Sequence, residues 1–229
     1  MRIFSADPSC YLIEASDLAK DPLPDILNGN LHHVHTIMTW AREYLCHPHP
    51  DLGRDGPVCP FVPYSLVHEL FFVAIQHGQD LTQDDVYNTV MKYRDWFLEM
   101  DPRDGIEARY KSINILFPDI PLENAPKIID TIQLALKPEF VAKGLMIGQF
   151  HCTPPAEGGL WNPDFRPLNS PIPLLSIRHM VPTDFPFLTK DKRYVDSYLQ
   201  IHGDNIPRRQ RQLVKEVAER YGIDIPDDS

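Results

Sequence analysis

Twenty-three prolines punctuate this 229-residue chain, gathered chiefly in two stretches, 48–63 and 154–186. Proline has no amide hydrogen and a fixed φ, so neither stretch can run on as continuous helix or as an inner strand. Regular structure is thereby confined to the chain around them. The two stretches become long, rigid loops of the kind that often forms the walls of a site. Proline also narrows the unfolded ensemble, so stability alone could account for it.

Around those loops the hydrophobic pattern is legible. Val34, Ile37, Met38, Ala41, Tyr44 and Leu45 share one helical face over 33–46, and Pro48 forbids continuation. Residues 70–75 are apolar on both faces, short, and rich in Phe and β-branched side chains, which favours a central strand. Thr82 with Asp85 three residues on opens a helix as a capping box. Val86, Val90, Tyr93, Phe97 and Met100 form its buried stripe, and Pro102 closes it. A second strand is expected over 112–117. Asn124 and Pro126 suit a helix start, with Ile128, Ile129, Ile132 and Leu136 at helical spacing. Strands follow over 145–151 and 173–179. Helices over 189–202 and 207–221 are stopped by Gly203 and Gly222.

Residues 1–30 carry few periodic cues beyond a strand-like stretch at 10–13. The order predicts one α+β domain: a mixed sheet of about four strands, helices packed on it, and two C-terminal helices. Residues 33–202 would be its core, and 203–229 a C-terminal helix and tail.

With 22 basic and 32 acidic residues the formal charge is -10. Nucleic acid and anionic membranes both need a positive face, so neither is expected as a partner. Arg208, Arg209 and Arg211 form a short basic cluster that a solvated helix start explains. The first residues contain no long apolar region, and no apolar run approaches the roughly 18 residues of a membrane span, so a soluble, cytoplasmic protein is expected. Cys10, Cys46, Cys59 and Cys152 are widely spaced with no CxxC pair, and should be free thiols. No GxGxxG, P-loop, GxSxG or HExxH motif is present, which sets aside the enzyme classes built on them.

Two segments could carry chemistry. Glycines and prolines fix the backbone over 47–61, and Cys59 precedes Pro60 there. A thiolate so placed could ligate a soft metal or haem iron; equally, free cysteine often serves as a small buried hydrophobe. His47 and His49 bracket Pro48 and could face one side of an extended chain, although zinc would need further ligands and surface histidines are the simpler reading. His32 and His35 share a helix face near its start and read the same way. His151 stands where a strand meets the second proline-rich stretch. It could ligate iron, accept a proton, or simply bond a loop carbonyl. Arg166 and Arg178 could bind carboxylates bidentately or sit in ordinary salt bridges.

The runs HPDLGRDGPVCPF (49–61), MIGQFH (146–151) and NPDFRPLNSPIPLLSIRHMVPTDFPFL (162–188) resemble a family of bacterial and fungal proteins often encoded beside natural-product genes. With the helices between them they cover 33–202. Cys152 stands where that family pattern has proline after the histidine. More distantly, the layout is similar to the YqcI/YcgG-type proteins, which include haem-dependent N-hydroxylases. That resemblance implies a haem b oxygenase with Cys59 or His151 as axial ligand. Arg54, Arg166 and Arg178 would then hold haem propionates or a substrate carboxylate. It further implies a small, amino-acid-like substrate hydroxylated on nitrogen or an adjacent centre, and room for a redox partner. The alternatives are a cofactor-free binding or accessory protein of a biosynthetic pathway, and a non-haem metal enzyme using His47, His49 and His151.

Overall fold

The computed structural model describes residues 1–153 and 158–225. Residues 154–157, with Pro154 and Pro155 of the second proline-rich stretch, lie outside the described residues, as does the tail after 225. The chain opens with two short antiparallel strands, β1 (Arg2–Ile3) and β2 (Tyr11–Leu12). Helix α1 (Leu31–Trp40) runs directly into a π turn over Ala41–Leu45. Then come α2 (Val62–Val67), β3 (Phe71–Ile75), α3 (Gln83–Glu99), α4 (Gly105–Ala108) and β4 (Ser112–Leu116). A second π turn, Pro126–Asp130, leads into α5 (Thr131–Ala142), followed by β5 (Leu145–Phe150) and β6 (Leu174–His179). Helices α6 (Lys192–His202) and α7 (Arg211–Tyr221) complete the fold. No helix among the described residues is long and apolar enough to cross a membrane.

The end signals act as their chemistry demands. Thr82 Oγ1 accepts the Asp85 amide at 3.2 Å while Asp85 Oδ2 accepts the Thr82 amide at 2.9 Å. Such a box satisfies two amides left free at the helix start and contributes about 1 kcal/mol. Gly222 stops α7 at φ 64°, a left-handed conformation that a β-carbon would strain.

The main sheet has the order β3-β4-β6-β5. β3 and β4 are parallel, and β6 is antiparallel to both of its neighbours. Because side chains alternate across a strand, the sheet has two distinct faces. Phe72, Ala74, Ile113, Ile115, Leu175, Ile177, Leu145 and Ile147 lie beneath α3 and α5 in the largest core cluster. On the opposite face Phe71, Val73, Ile75, Leu116 and Leu174 pack against α1, α2 and the N-terminal segment. The remaining positions of that second face are Ser112, Asn114, Ser176, Arg178, Met146, Gly148 and Phe150. Ser176 Oγ donates to Asn114 Oδ1 at 2.8 Å, and Asn114 Nδ2 donates to the Phe72 carbonyl at 3.1 Å. Ser176, Gly148 and Arg178 are half-buried although β6 is an inner strand, so this part of the face is only partly covered. Helices α6 and α7 pack across the sheet's end through Met146, Met180, Phe185, Tyr198 and Val217.

Several elements differ from the sequence expectations. The helix expected over 33–46 is α-helical only to Trp40, because the chain widens into the π turn before the proline-rich loop. The helix expected from 189 starts at Lys192, since the Asp191 carboxylate accepts the Arg193 amide at 2.9 Å and acts as its cap. The last helix begins with a 3-10 turn, Arg208–Gln210, which puts two of the clustered arginines at a helix start as anticipated. α2 begins at the very end of the first proline-rich stretch and was not expected.

The N-terminal segment is part of the core. Ile13 exchanges two backbone hydrogen bonds with Val73, at 2.8 and 3.0 Å, and so closes the outer edge of β3. Phe4, Leu12, Ile13 and Leu27 are buried. Truncating a fully buried Ile leaves a cavity, so Ile13→Ala is expected to lower unfolding free energy by about 3 kcal/mol in urea melts. A change within about 0.5 kcal/mol would mean that this segment does not belong to the cooperative core.

Beneath the sheet sits a buried basic pair. Lys111 is fully buried, and its Nζ donates to the Phe97 carbonyl at 2.8 Å and to the Met100 carbonyl at the end of α3. Burial pushes Lys111 down to about 8. His179 Nε2 is buried without a partner among the described residues, and burial, helped by the charge of Lys111, pushes His179 down to about 4. The folded protein thus keeps this imidazole neutral where the unfolded chain, with a value near 6.5, takes up a proton. Stability from this group is complete above about 6.5 and is lost as pH falls towards about 4. His179→Phe should flatten that part of the urea-midpoint profile against wild type. His33 and His202, both also lowered chiefly by burial, are retained in the two proteins. Identical profiles for both would refute the assignment.

Candidate functional site

The first proline-rich loop is pinned at its base. The Val58 amide donates to the His47 carbonyl and the Cys59 amide to the Leu45 carbonyl, both at 2.9 Å. Within it a 3-10 turn, Pro50–Leu52, is capped by His49, whose Nδ1 accepts the Asp51 amide at 3.2 Å. That acceptor role places the proton of the neutral ring on Nε2. Gly53 follows at φ 75°, and a β-carbon there would stand 2.9 Å from the Trp161 carbonyl oxygen. Both the conformation and the close approach require glycine.

Trp161 belongs to the second loop, which leans on the first. Asn162 Nδ2 donates to the Asp51 carbonyl at 2.8 Å. The His49 and Phe165 rings stack loosely, with centroids 4.6 Å apart. The π turn and α1 hold the far side: Tyr44 Oη donates to the Pro167 carbonyl at 3.2 Å, and Trp40 Nε1 to the Asn169 carbonyl at 3.0 Å. The backbone of His151 anchors the loop's return through bonds with Leu168 and Ser170, each 3.3 Å.

Between the loops lies an open groove of about 570 Å³. Tyr44, His49 and Phe165 give it an aromatic side, while Asp51, Asp164, Arg166, Asn162 and Asn169 give it charge and hydrogen-bonding groups. Arg166 Nη1 donates to the Pro163 carbonyl at 2.6 Å and the Phe165 carbonyl at 3.3 Å, which orients the guanidinium. Among the described residues its Nε and Nη2 donate to no protein acceptor. Burial pushes the Tyr44 phenol up to about 12, so it stays protonated through the physiological range.

The other residues singled out by sequence lie elsewhere. Arg54 turns back into its own loop, with Nη1 on the Asp55 carbonyl at 2.9 Å and Nη2 on the Pro57 and Val58 carbonyls at 2.9 and 3.1 Å. Arg178 forms a two-pronged pair with the buried Asp184, each contact 2.7 Å, and also donates to the His179 carbonyl at 2.9 Å. It lies near enough to Cys59 for the two to interact electrostatically, and its guanidinium sits 5.6 Å from the Phe61 ring centroid. Cys59 itself is half-buried over the second face of the sheet. His151 is fully buried. Its Nε2 meets Asp130 Oδ1 at 2.8 Å and its Nδ1 meets Thr153 Oγ1 at 3.1 Å.

These placements do not fit a haem. An axial imidazole needs a free ring nitrogen facing open space, and both nitrogens of His151 are engaged in a ring without exposure. Cys59 and His151 line neither the groove nor the shallower concavity beside His32, His33 and Asp119. Two of the three arginines expected to meet propionates are held by protein oxygens, Arg54 by carbonyls and Arg178 by Asp184. For a non-haem metal, no three His, Cys, Asp or Glu side chains come together suitably among the described residues, so His47, His49 and His151 form no such centre.

Sequence reasoning missed Tyr44, Asp51, Asn162, Asp164 and Phe165 as groove residues, and Asp130 and Asp184 as partners. Tyr44 fell in a helical apolar stripe and was counted towards the core. The others have no local pattern and are joined only by the fold.

No curated protein and no solved structure matches this sequence. Residues 34–213 match the family model of a domain of unknown function, DUF6875, and the chain belongs to that family.

Proposed function

We propose that this protein binds a small zwitterionic, amino-acid-like molecule in the groove between its two proline-rich loops, without a cofactor. The observation that carries this reading is the groove's mixed lining: one oriented arginine, two carboxylates and an aromatic side within about 570 Å³. A carboxylate can take two parallel hydrogen bonds from the edge of Arg166 that acceptors among the described residues leave open. An ammonium is matched by Asp51 and Asp164, both exposed. The carbon skeleton has the aromatic side formed by Tyr44, His49 and Phe165 to lie against. The loops that build the groove are braced by proline, by Arg54 and by cross-loop hydrogen bonds, so little ordering cost falls on binding. Such a protein would hold or deliver a metabolite within a pathway. The haem-oxygenase reading rests on the resemblance alone.

Titrating ¹⁵N-labelled protein with a panel of free α-amino acids and their decarboxylated amines should give saturable shifts at Asn162, Asn169 and the Asp51 amide for the amino acids. Losing a charge-assisted pair removes about 1.5–3 kcal/mol, so Arg166→Ala should weaken binding roughly 10- to 100-fold with an unchanged circular dichroism spectrum. Decarboxylated amines that bind as tightly as the parent amino acids would refute the arginine's role, and no saturable shift with any of the panel would overturn the reading. Protein expressed with haem precursor should show no Soret band, in either oxidation state or after haem is added back. A Soret band lost on Cys59→Ser or His151→Ala would instead install the haem reading.

A further inference from the structure

Cys59 and Cys46 lie on the two strands of backbone that meet at the base of the first loop. The hydrogen bond from the Cys59 amide to the Leu45 carbonyl, 2.9 Å long, spans the peptide group immediately before Cys46. Standard bond lengths then hold the two α-carbons within about 7 Å of one another, inside the range a disulfide can bridge. Both side chains pack into the same core cluster, both are half-buried, and both are free thiols. Cys10 is buried in a different cluster and Cys152 is exposed, so neither competes for the pair from within the core. We propose that Cys46 and Cys59 form a peroxide-oxidised dithiol site, whose disulfide would close the loop that carries His49 and Asp51.

The reaction balances with a hydroperoxide as oxidant. The Cys59 thiolate attacks one peroxide oxygen and breaks the O–O bond. This gives a sulfenic acid, and the second oxygen departs as water after protonation, or as an alcohol from an organic peroxide. Cys46 then attacks that sulfur, the S–S bond forms, and the sulfenic oxygen leaves as water. The two sulfurs together lose two electrons and two protons, and the peroxide gains them. Cys59 takes the first role, since Cys46 is the less suited of the two sulfurs to begin. Cys46 suits the second: burial, and then the charge of Cys59, push its thiol up, so it is the poorer first nucleophile.

The test does not depend on what the groove binds. Wild-type protein and a Cys152→Ser variant, which removes the exposed thiol, are treated with stoichiometric hydrogen peroxide. They are then alkylated under denaturing conditions, digested and mapped by mass spectrometry. The expected product is a peptide pair joined Cys46 to Cys59, two hydrogens lighter than the reduced pair and reversed by dithiothreitol. Cys46→Ser should instead leave Cys59 as a sulfenic acid trapped by dimedone. Cys46 and Cys59 both still alkylatable in wild type once Cys152 is oxidised, or Cys59 cross-linked elsewhere, would overturn the proposal.

Discussion

The groove exists because β6 is inserted antiparallel between β4 and β5. β3, β4 and β5 all point one way, so β6 must begin beside the end of β5, with Phe150 opposite Leu174. The connection between those two paired residues is therefore a long hairpin loop rather than a helix crossing the sheet. It emerges at the carboxyl ends of the three parallel strands, the end at which open sheets commonly leave a crevice. Its proline content keeps it from collapsing into regular structure, and its contacts decide where it goes. Trp40 and Tyr44 hold its later carbonyls, and Asp51 holds Asn162. The two segments richest in proline are thus brought face to face by one feature of strand order.

The same insertion sets the character of the sheet's second face. β6 contributes Leu174, Ser176 and Arg178 to it, an apolar residue followed by two polar ones. Leu174 lies under α1 and α2, whereas Ser176 and Arg178 meet Asn114, Asp184 and the neighbourhood of Cys59. A guanidinium in that position has lost much of its hydration, and the carboxylate of Asp184 compensates it. This pair also fixes the turn after β6, because Asp184 accepts the Val181 amide at 2.8 Å. Arg178 is thereby a structural cation first, which explains why it does not reach the groove.

What could be read from the sequence was whatever leaves a periodic or covalent trace. The four strands of the main sheet stand out because each is short, apolar and bounded by Gly, Pro or polar residues. The Thr82–Asp85 box and Gly222 are chemical signals that act locally, and both do as expected. α2 escaped because Pro63 sits in its first turn, where a missing amide costs nothing, so a proline count reads as loop what is helix. β2 falls within the strand-like stretch at 10–13, whereas its partner β1 escaped because two residues are too few to alternate. The groove was only half legible. Its walls were expected as rigid loops and Arg166 was marked for either a carboxylate ligand or an ordinary salt bridge, but Tyr44, Asp51 and Phe165 come from segments up to 121 residues apart in the sequence. Their meeting depends on strand order, which no window of sequence contains. His151 was marked for its position at a strand end, and its partner Asp130 lies 21 residues earlier at the start of α5.

On the proposed reading the groove holds its ligand, and its side chains can be weighed against that role. A proton-transfer catalyst needs a group that changes state near neutral pH and has a free atom directed at the ligand. Tyr44, raised to about 12, stays a phenol. His49 spends Nδ1 on the Asp51 amide and so presents Nε2 alone. Arg166 is a permanent cation, and Asp51 and Asp164 stand exposed. The pair that does resemble an acid–base couple, half-buried Asp130 with buried His151, lies outside the groove and braces the loop's first residues through Thr153. On the proposed reading, a fixed cation, exposed carboxylates and an aromatic side held by proline-stiffened walls would draw their specificity from preorganisation.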